Sequence, residues 1–266
     1  MRHPIYFAII LATAVWTVSA CKHKPTMREM GILLDTLNVQ ATASLTDSIP
    51  SPHCEVDLKV IVISNKEYAP VNDSLLRSGI LSPEYLSLTD KQITPRAAID
   101  SFIRRYEADY KTFYSGIFTD ESDSQSASIG YTLRTSIEEG KDSTLCYKAF
   151  VSHKQGAITT NYTLCCNIDL HRKRLLQLDD IFVHGYERGL SEAIANQLMK
   201  QSANKDLQSL RQSGFFVNSD IYPTPNFILG DKSITFVYVA GEIADRDRGE
   251  IQVEVKYSEI KRLLKR

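Results

Sequence analysis

The stretch IGYTLRTSIEEGKDSTLCYKAFVSHKQGAITTNYTLCCNIDL, residues 129–170, decides the fold. It reads as three strands, near 129–137, 143–152 and 157–170, with Gln155-Gly156 between the last two. A two-residue turn there sets Cys146 directly opposite Cys165. If that site is a non-hydrogen-bonded pair, their Cβ atoms lie close enough for a disulfide. Free, partly buried thiols are the alternative. Cys166 points to the other face, because side chains alternate along a strand.

Upstream, Leu37, Val39 and Ala41 alternate with polar residues from Asp35 onward, as on a half-buried strand. Residues 48–52 break that run, and Cys54 to Ile63 reads as its antiparallel partner, with Val56, Leu58, Val60 and Val62 on one face. A weak helix is expected over 72–80. Thr94-Pro95 then opens a strong one: a capping hydroxyl followed by proline at the first helical position. Its stripe of Ile99, Phe102, Ile103, Tyr106, Tyr110 and Phe113 needs a sheet to lie against. Asp120 to Ser128 reads as a loop.

Downstream, Leu178 to Phe182 reads as a short turn. A second amphipathic helix spans 185–203, and a shorter one near 204–212 stops at Gly214. Strands follow at 227–229, 234–239 and 251–255. Ser258 is expected to cap a terminal helix carrying Ile260, Leu263 and Leu264. Hairpins dominate and βαβ crossovers are few. The expected class is α+β: two small domains of mainly antiparallel sheet with helices on one face.

The first residues carry a different signal. A basic start at Arg2, an apolar run from Ile5 to about Val18, and Val18-Ser19-Ala20 before Cys21 describe a secretory signal over residues 1–20. Cys21 after small residues resembles the bacterial lipobox, which implies acylation of its thiol. Acyl chains contribute about 0.8 kcal/mol per buried CH₂ to membrane attachment. Residues 21–34 are then a lipidated tether. Lys22-His23-Lys24-Pro25 carries no acidic run, so the expected place is the periplasmic face of the outer membrane.

Without residues 1–20 the chain has 30 basic and 32 acidic residues, spread along its length. That balance gives no electrostatic case for nucleic acid. Export to an oxidising compartment permits disulfides among Cys54, Cys146, Cys165 and Cys166.

Sequence motifs for chemistry are missing: there is no GxSxG, HExxH, Walker loop or GxGxxG. The histidines are scattered, and no CxxC spacing supports zinc. Neither a catalytic residue, a metal nor a cofactor is expected. Asp179-Asp180 with His184 can be imagined as a general-base pair, but such residues are more often a turn and a helix cap. Residues 245–250 have several acids, yet the interleaved arginines oppose a divalent cation, so a charged turn is expected.

Two stretches resemble known families. Residues 35–153 resemble the domain of unknown function found beside peptidoglycan deacetylase modules (DUF4163). The likeness lies in the strand pair around Cys54, in Thr94-Pro95, and in the helix from Ile99 to Tyr110. Residues 154–266 resemble DUF3298, the extracellular domain of the lysozyme-sensing anti-sigma factor. The likeness lies in Asn167-Ile168-Asp169-Leu170, Leu178 to Phe182, Glu242 to Ala244, Gly249 to Val253 and Tyr257 to Ile260. The sequence departs from that pattern at two turns. Gly-Gly-Ala-His of relatives reads Gln155-Gly156-Ala157-Ile158, and Ala-Pro-Tyr-Ala reads Ala244-Asp245-Arg246-Asp247.

The resemblance implies an extracytoplasmic binding or sensing module for peptidoglycan or an envelope protein such as lysozyme, held to a membrane by its lipid. Tyr238, Glu242, Asp245 and Arg246 are the candidate ligand residues. The groove to seek lies near residues 154–160 and 240–249. Two other readings stand beside this one. A cell-wall hydrolase would need an acid–base pair in one pocket. A structural lipoprotein would recruit a partner through a sheet edge.

Overall fold

A computed structural model describes residues 26–47, 51–82, 91–116 and 126–265. The signal segment 1–20, Cys21 and most of the loop expected at 120–128 lie outside these residues. Among the described residues, nine strands form two sheets.

The first sheet begins with β1 (Leu34–Ser44) and β2 (His53–Ile63), an antiparallel pair in register from Leu34↔Ile63 to Ser44↔His53. Val56, Leu58, Val60 and Val62 of β2 are buried, while Glu55 and Lys59, on the opposite face, are exposed. The chain then leaves the sheet through α1 (Ala69–Leu75), which a π-turn extends to Ile80. Buried Asn72 pins α1 to the end of β2. Its Oδ1 accepts from Ile63 N–H at 3.0 Å, and its Nδ2 donates to Ile63 O at 2.8 Å.

Helix α2 (Pro95–Ser115) starts as expected, with the Thr94 hydroxyl accepting from Ala97 N–H at 3.3 Å. Its stripe from Ile99 to Tyr110 is buried, and each large apolar side chain there contributes about 1.5–3 kcal/mol. Phe113, the last of the expected stripe, is exposed.

The chain returns as β3 (Ile129–Glu139), parallel to β2, and continues antiparallel through β4 (Thr144–Gln155), β5 (Ile158–Asp169) and the short β6 (Arg174–Leu175). One face of this six-stranded sheet packs with α1 and α2 into the first core. The other carries polar residues such as Asp57, Lys59, Arg134 and Lys148, the usual division for a sheet wetted on one side.

The second unit holds α3 (Leu178–Ile181), α4 (Glu187–Gln201) and α5 (Leu207–Gln212), then the meander β7 (Phe227–Leu229), β8 (Ser233–Tyr238) and β9 (Ile251–Lys256). Its own core runs from Leu178 to Ile260. Among the described residues, no helix is long and apolar enough to cross a membrane.

Four expectations change. First, the division between residues 153 and 154 falls inside the β4–β5 hairpin, whose strands share one sheet; the first unit therefore continues to Leu175. Second, the tether is shorter than residues 21–34. Met27 and Met30 pack against the first core, and Met27 N–H donates to Glu139 Oε1 at 2.9 Å. Third, no helix follows Ser258 among the described residues. Leu264 instead bridges Phe182, and Val183 N–H donates to Leu263 O at 2.8 Å, so tertiary pairing overrides local helix preference.

Fourth, the β4–β5 turn is Gly156-Ala157, closed by Gln155↔Ile158. Gly156 has φ 58° while Ala157 has no positive φ, as in a type II′ turn with glycine first. With glycine first rather than second in the turn, the register moves by two residues from the expected pairing. Cys146 lies opposite Asn167 and Cys165 opposite Lys148, so the two cysteines are diagonal neighbours on one face. All four described cysteines are free thiols.

Candidate functional site

Two asparagines join the units. Asn167 leaves β5 with its side chain buried. Its Nδ2 donates to Phe227 O at 2.7 Å, and its Oδ1 accepts from Leu229 N–H at 3.1 Å. Asn226 answers from the other side. Its Oδ1 accepts from Cys165 N–H at 2.7 Å, and its Nδ2 donates to Thr163 O at 2.8 Å and to Val237 O at 2.9 Å. Both side chains act as fragments of backbone, satisfying main-chain groups that would otherwise be buried unpaired.

This junction sets the β4–β5 hairpin against the loop joining β8 to β9. Between them lies a cleft of about 530 Å³. One wall is Phe150 with residues 158–163. The other is Ala240, Arg246, Asp247, Gly249 and Glu250. Phe150 is 44% exposed and Ile158 69%, so two large apolar side chains stand in solvent beside a run of threonine and asparagine. The facing wall carries both charge signs. The cleft therefore combines apolar contact with polar groups, the composition of a recognition surface.

The loop wall is held from behind. The carboxylate of Glu242 accepts from Tyr222 Oη at 2.8 Å and from Val239 N–H at 2.8 Å. Burial, then that carboxylate, push the Tyr222 phenol up to about 12. Asp245 precedes a single 3-10 turn, Arg246–Arg248, which ends at Gly249 with φ 70°. Arg248 turns away from the cleft to donate to Ser213 O at 2.7 Å, with its guanidinium over the Phe215 ring. At Gly241, φ 86°, an added Cβ would come within 2.7 Å of Arg246 Cγ, so glycine lets the arginine stem lie flat.

The four residues proposed for a ligand do not share one surface. Tyr238 is fully buried: its ring meets Phe216 and Tyr222 edge-on, and its Oη donates to Tyr222 O at 2.6 Å. It is a core residue, because its strand position faces inward. Glu242 is a brace rather than a contact. Glu242 and Asp245 line a separate hollow of about 330 Å³ beside Phe216. Only Arg246 reaches the larger cleft. The stretches 154–160 and 240–249 expected to flank the groove do meet in this cleft, but Phe150 and residues 161–163 lie outside them. Their signal was the exposed aromatic on the polar face of β4.

Other candidates resolve into structure. Asp180 pairs with Arg174 and accepts from Gln177 N–H at 2.9 Å, completing a capping box on α3. Arg174 first, with the Gln177 N–H and Arg172, holds the Asp180 carboxyl down to about 2 against some opposing burial. His153 Nε2 lies 3.0 Å from Tyr106 Oη, and burial lowers the imidazole below its ordinary range. Among the described residues, no group of three or more His, Cys, Asp or Glu is placed to hold a metal ion.

A family model described as a protein of unknown function (DUF3298) matches residues 179–258, the span from α3 past β9. That start agrees with the second core, which begins at Leu178. Two solved structures share the fold over both units. A DUF3298 family member from Bacteroides fragilis NCTC 9343 is 22% identical, with a TM-score of 0.72, covering 88% of this chain and 94% of that one. A DUF3298 family protein from Pseudomonas aeruginosa PAO1 is 15% identical, with a TM-score of 0.57, covering 88% and 95%. None of the curated proteins matches the chain.

Proposed function

We propose that the protein is a non-catalytic lipoprotein of the cell envelope, anchored through Cys21, and that it binds an extracytoplasmic ligand in the cleft between the β4–β5 hairpin and the 240–250 loop. One observation carries this reading. The two turns at which the resemblance has the sequence depart from its relatives, 155–158 and 244–247, contribute Ile158, Arg246 and Asp247 to the same cleft. Strands that keep a pattern while two distant turns diverge at one surface fit a common scaffold with its own specificity. Peptidoglycan fragments and a protein such as lysozyme are the ligand classes that the resemblance suggests. The anchor rests on the sequence around Cys21.

The test uses soluble peptidoglycan fragments, lysozyme and the full chain without its lipid. Binding to either probe that falls at least tenfold in Phe150→Asp and in Ile158→Asp supports the cleft. Binding that both variants keep removes it. Cys21→Ser should move the protein from the membrane fraction to the soluble one, and retention at the membrane would overturn the anchor.

A further inference from the structure

We infer that the ligand class is an extended peptide, taken up as an added strand along the open edge of β5. This deepens the proposed cleft and rests on it. Successive residues of a strand direct their N–H and C=O groups alternately to its two edges. In β5 the outward set is fixed by three contacts. Cys165 N–H and Thr163 C=O both bond to Asn226, and Asn167 C=O accepts from Leu176 N–H at 2.8 Å. The odd-numbered residues therefore face away from β4.

Towards the hairpin, the same alternation aims the N–H and C=O of Thr159 and Asn161, and the N–H of Thr163, at the cleft. No strand of the described residues pairs with β5 there, because β6 reaches only Ile168 and Asp169. Strand edges are usually blunted by charge, proline or a bulge. Residues 158–163, Ile-Thr-Thr-Asn-Tyr-Thr, have none of these and suit a strand. At about 3.3 Å per residue, 159 to 163 spans roughly 13 Å, room for about five residues of peptide.

The outer strand β1 has an open edge too. What separates the two is the opposite wall. Arg246, Asp247 and Glu250 stand across from the β5 edge, and Phe150 offers an apolar floor. Main-chain bonds would supply affinity and this wall selectivity. A glycan lacks donors and acceptors repeating at the two-residue period of this edge.

The experiment selects linear twelve-residue peptides from a phage-displayed library on the full chain. The best binder is then resynthesised with single N-methyl groups along its length. A paired strand loses at least tenfold in affinity at every second position and little between, a signature that leaves the protein unaltered. Asn161→Pro removes one outward N–H and should also cost at least tenfold, with the far-ultraviolet spectrum unchanged. A uniform N-methyl profile, or selected peptides indifferent to both Asn161→Pro and Phe150→Asp, overturns the inference. If peptidoglycan fragments bind in the cleft while no peptide is selected, the inference falls and the proposed function stands. If nothing binds there, both fall.

Discussion

The carboxamide of Asn167 replaces a strand for Phe227: Nδ2 donates to the Phe227 carbonyl at 2.7 Å while Oδ1 takes the N–H two residues on. Asn167 is 1% exposed, so no solvent can stand in for it. Asn167→Ala should leave one carbonyl and one N–H buried without partners, each costing about 1–3 kcal/mol. A combined loss of about 3 kcal/mol is expected, read as a lower urea midpoint with an unchanged slope. A midpoint within error of wild type would show that the junction does not depend on this side chain.

Asp180 should give the fold an acid-sensitive step. Its carboxyl is held down to about 2, chiefly by Arg174, while in the unfolded chain it titrates near 3.9. A depressed folded value favours the charged form, so the contribution is complete above about pH 4. It is lost as pH falls through about 2. Urea unfolding of wild type and Asp180→Asn should differ at pH 5 and converge by pH 2. Parallel curves across that range would contradict the role given to the Arg174 pair.

Oxidation should select one cysteine pair. The neighbouring Cys165 thiol holds Cys146 below its ordinary range, and Cys146 with burial pushes Cys165 up. Burial pushes Cys54 up to about 12 and also raises Cys166. The expected product is a single 146–165 disulfide. Diagonal neighbours lie at the long end of disulfide reach, so stabilisation should stay below the ~3 kcal/mol that closing a loop of this size provides. Peptide mapping after alkylation reads the pairing, and any bridge to Cys54 or Cys166 would contradict it.

Much of the fold was legible locally. The Thr94-Pro95 cap, the stripe of α2 and the alternation in β2 depend on neighbours along the chain, and each element formed where its pattern lay. The misses share a cause: they depend on what lies across space. Whether glycine is first or second in a two-residue turn moved the Cys146 register. The chain after Ser258 gave up a helix to pair with Phe182. Tyr238 reads as an aromatic on a strand whichever way it faces, and only the ring of Phe216 against it settles the matter. The cleft was half legible, because its two turns stood out in sequence while Phe150, on β4 ahead of the first turn, did not.

The parallel seam between β2 and β3 has a kinetic consequence. It joins Cys54 to Ile129 across the whole helical excursion, whereas every other pair of neighbours in that sheet is consecutive along the chain, with at most eight residues between the strands. Closing so long a loop costs entropy before any ladder bond forms. Assembly of the sheet from two ribbons, β1–β2 and β3–β6, joined last along this seam is the expected order. Substitutions that weaken the seam, such as Leu133→Ala, should then speed unfolding and leave the refolding rate nearly unchanged if the seam forms after the rate-limiting step, or slow refolding if it forms in it, read from stopped-flow chevrons.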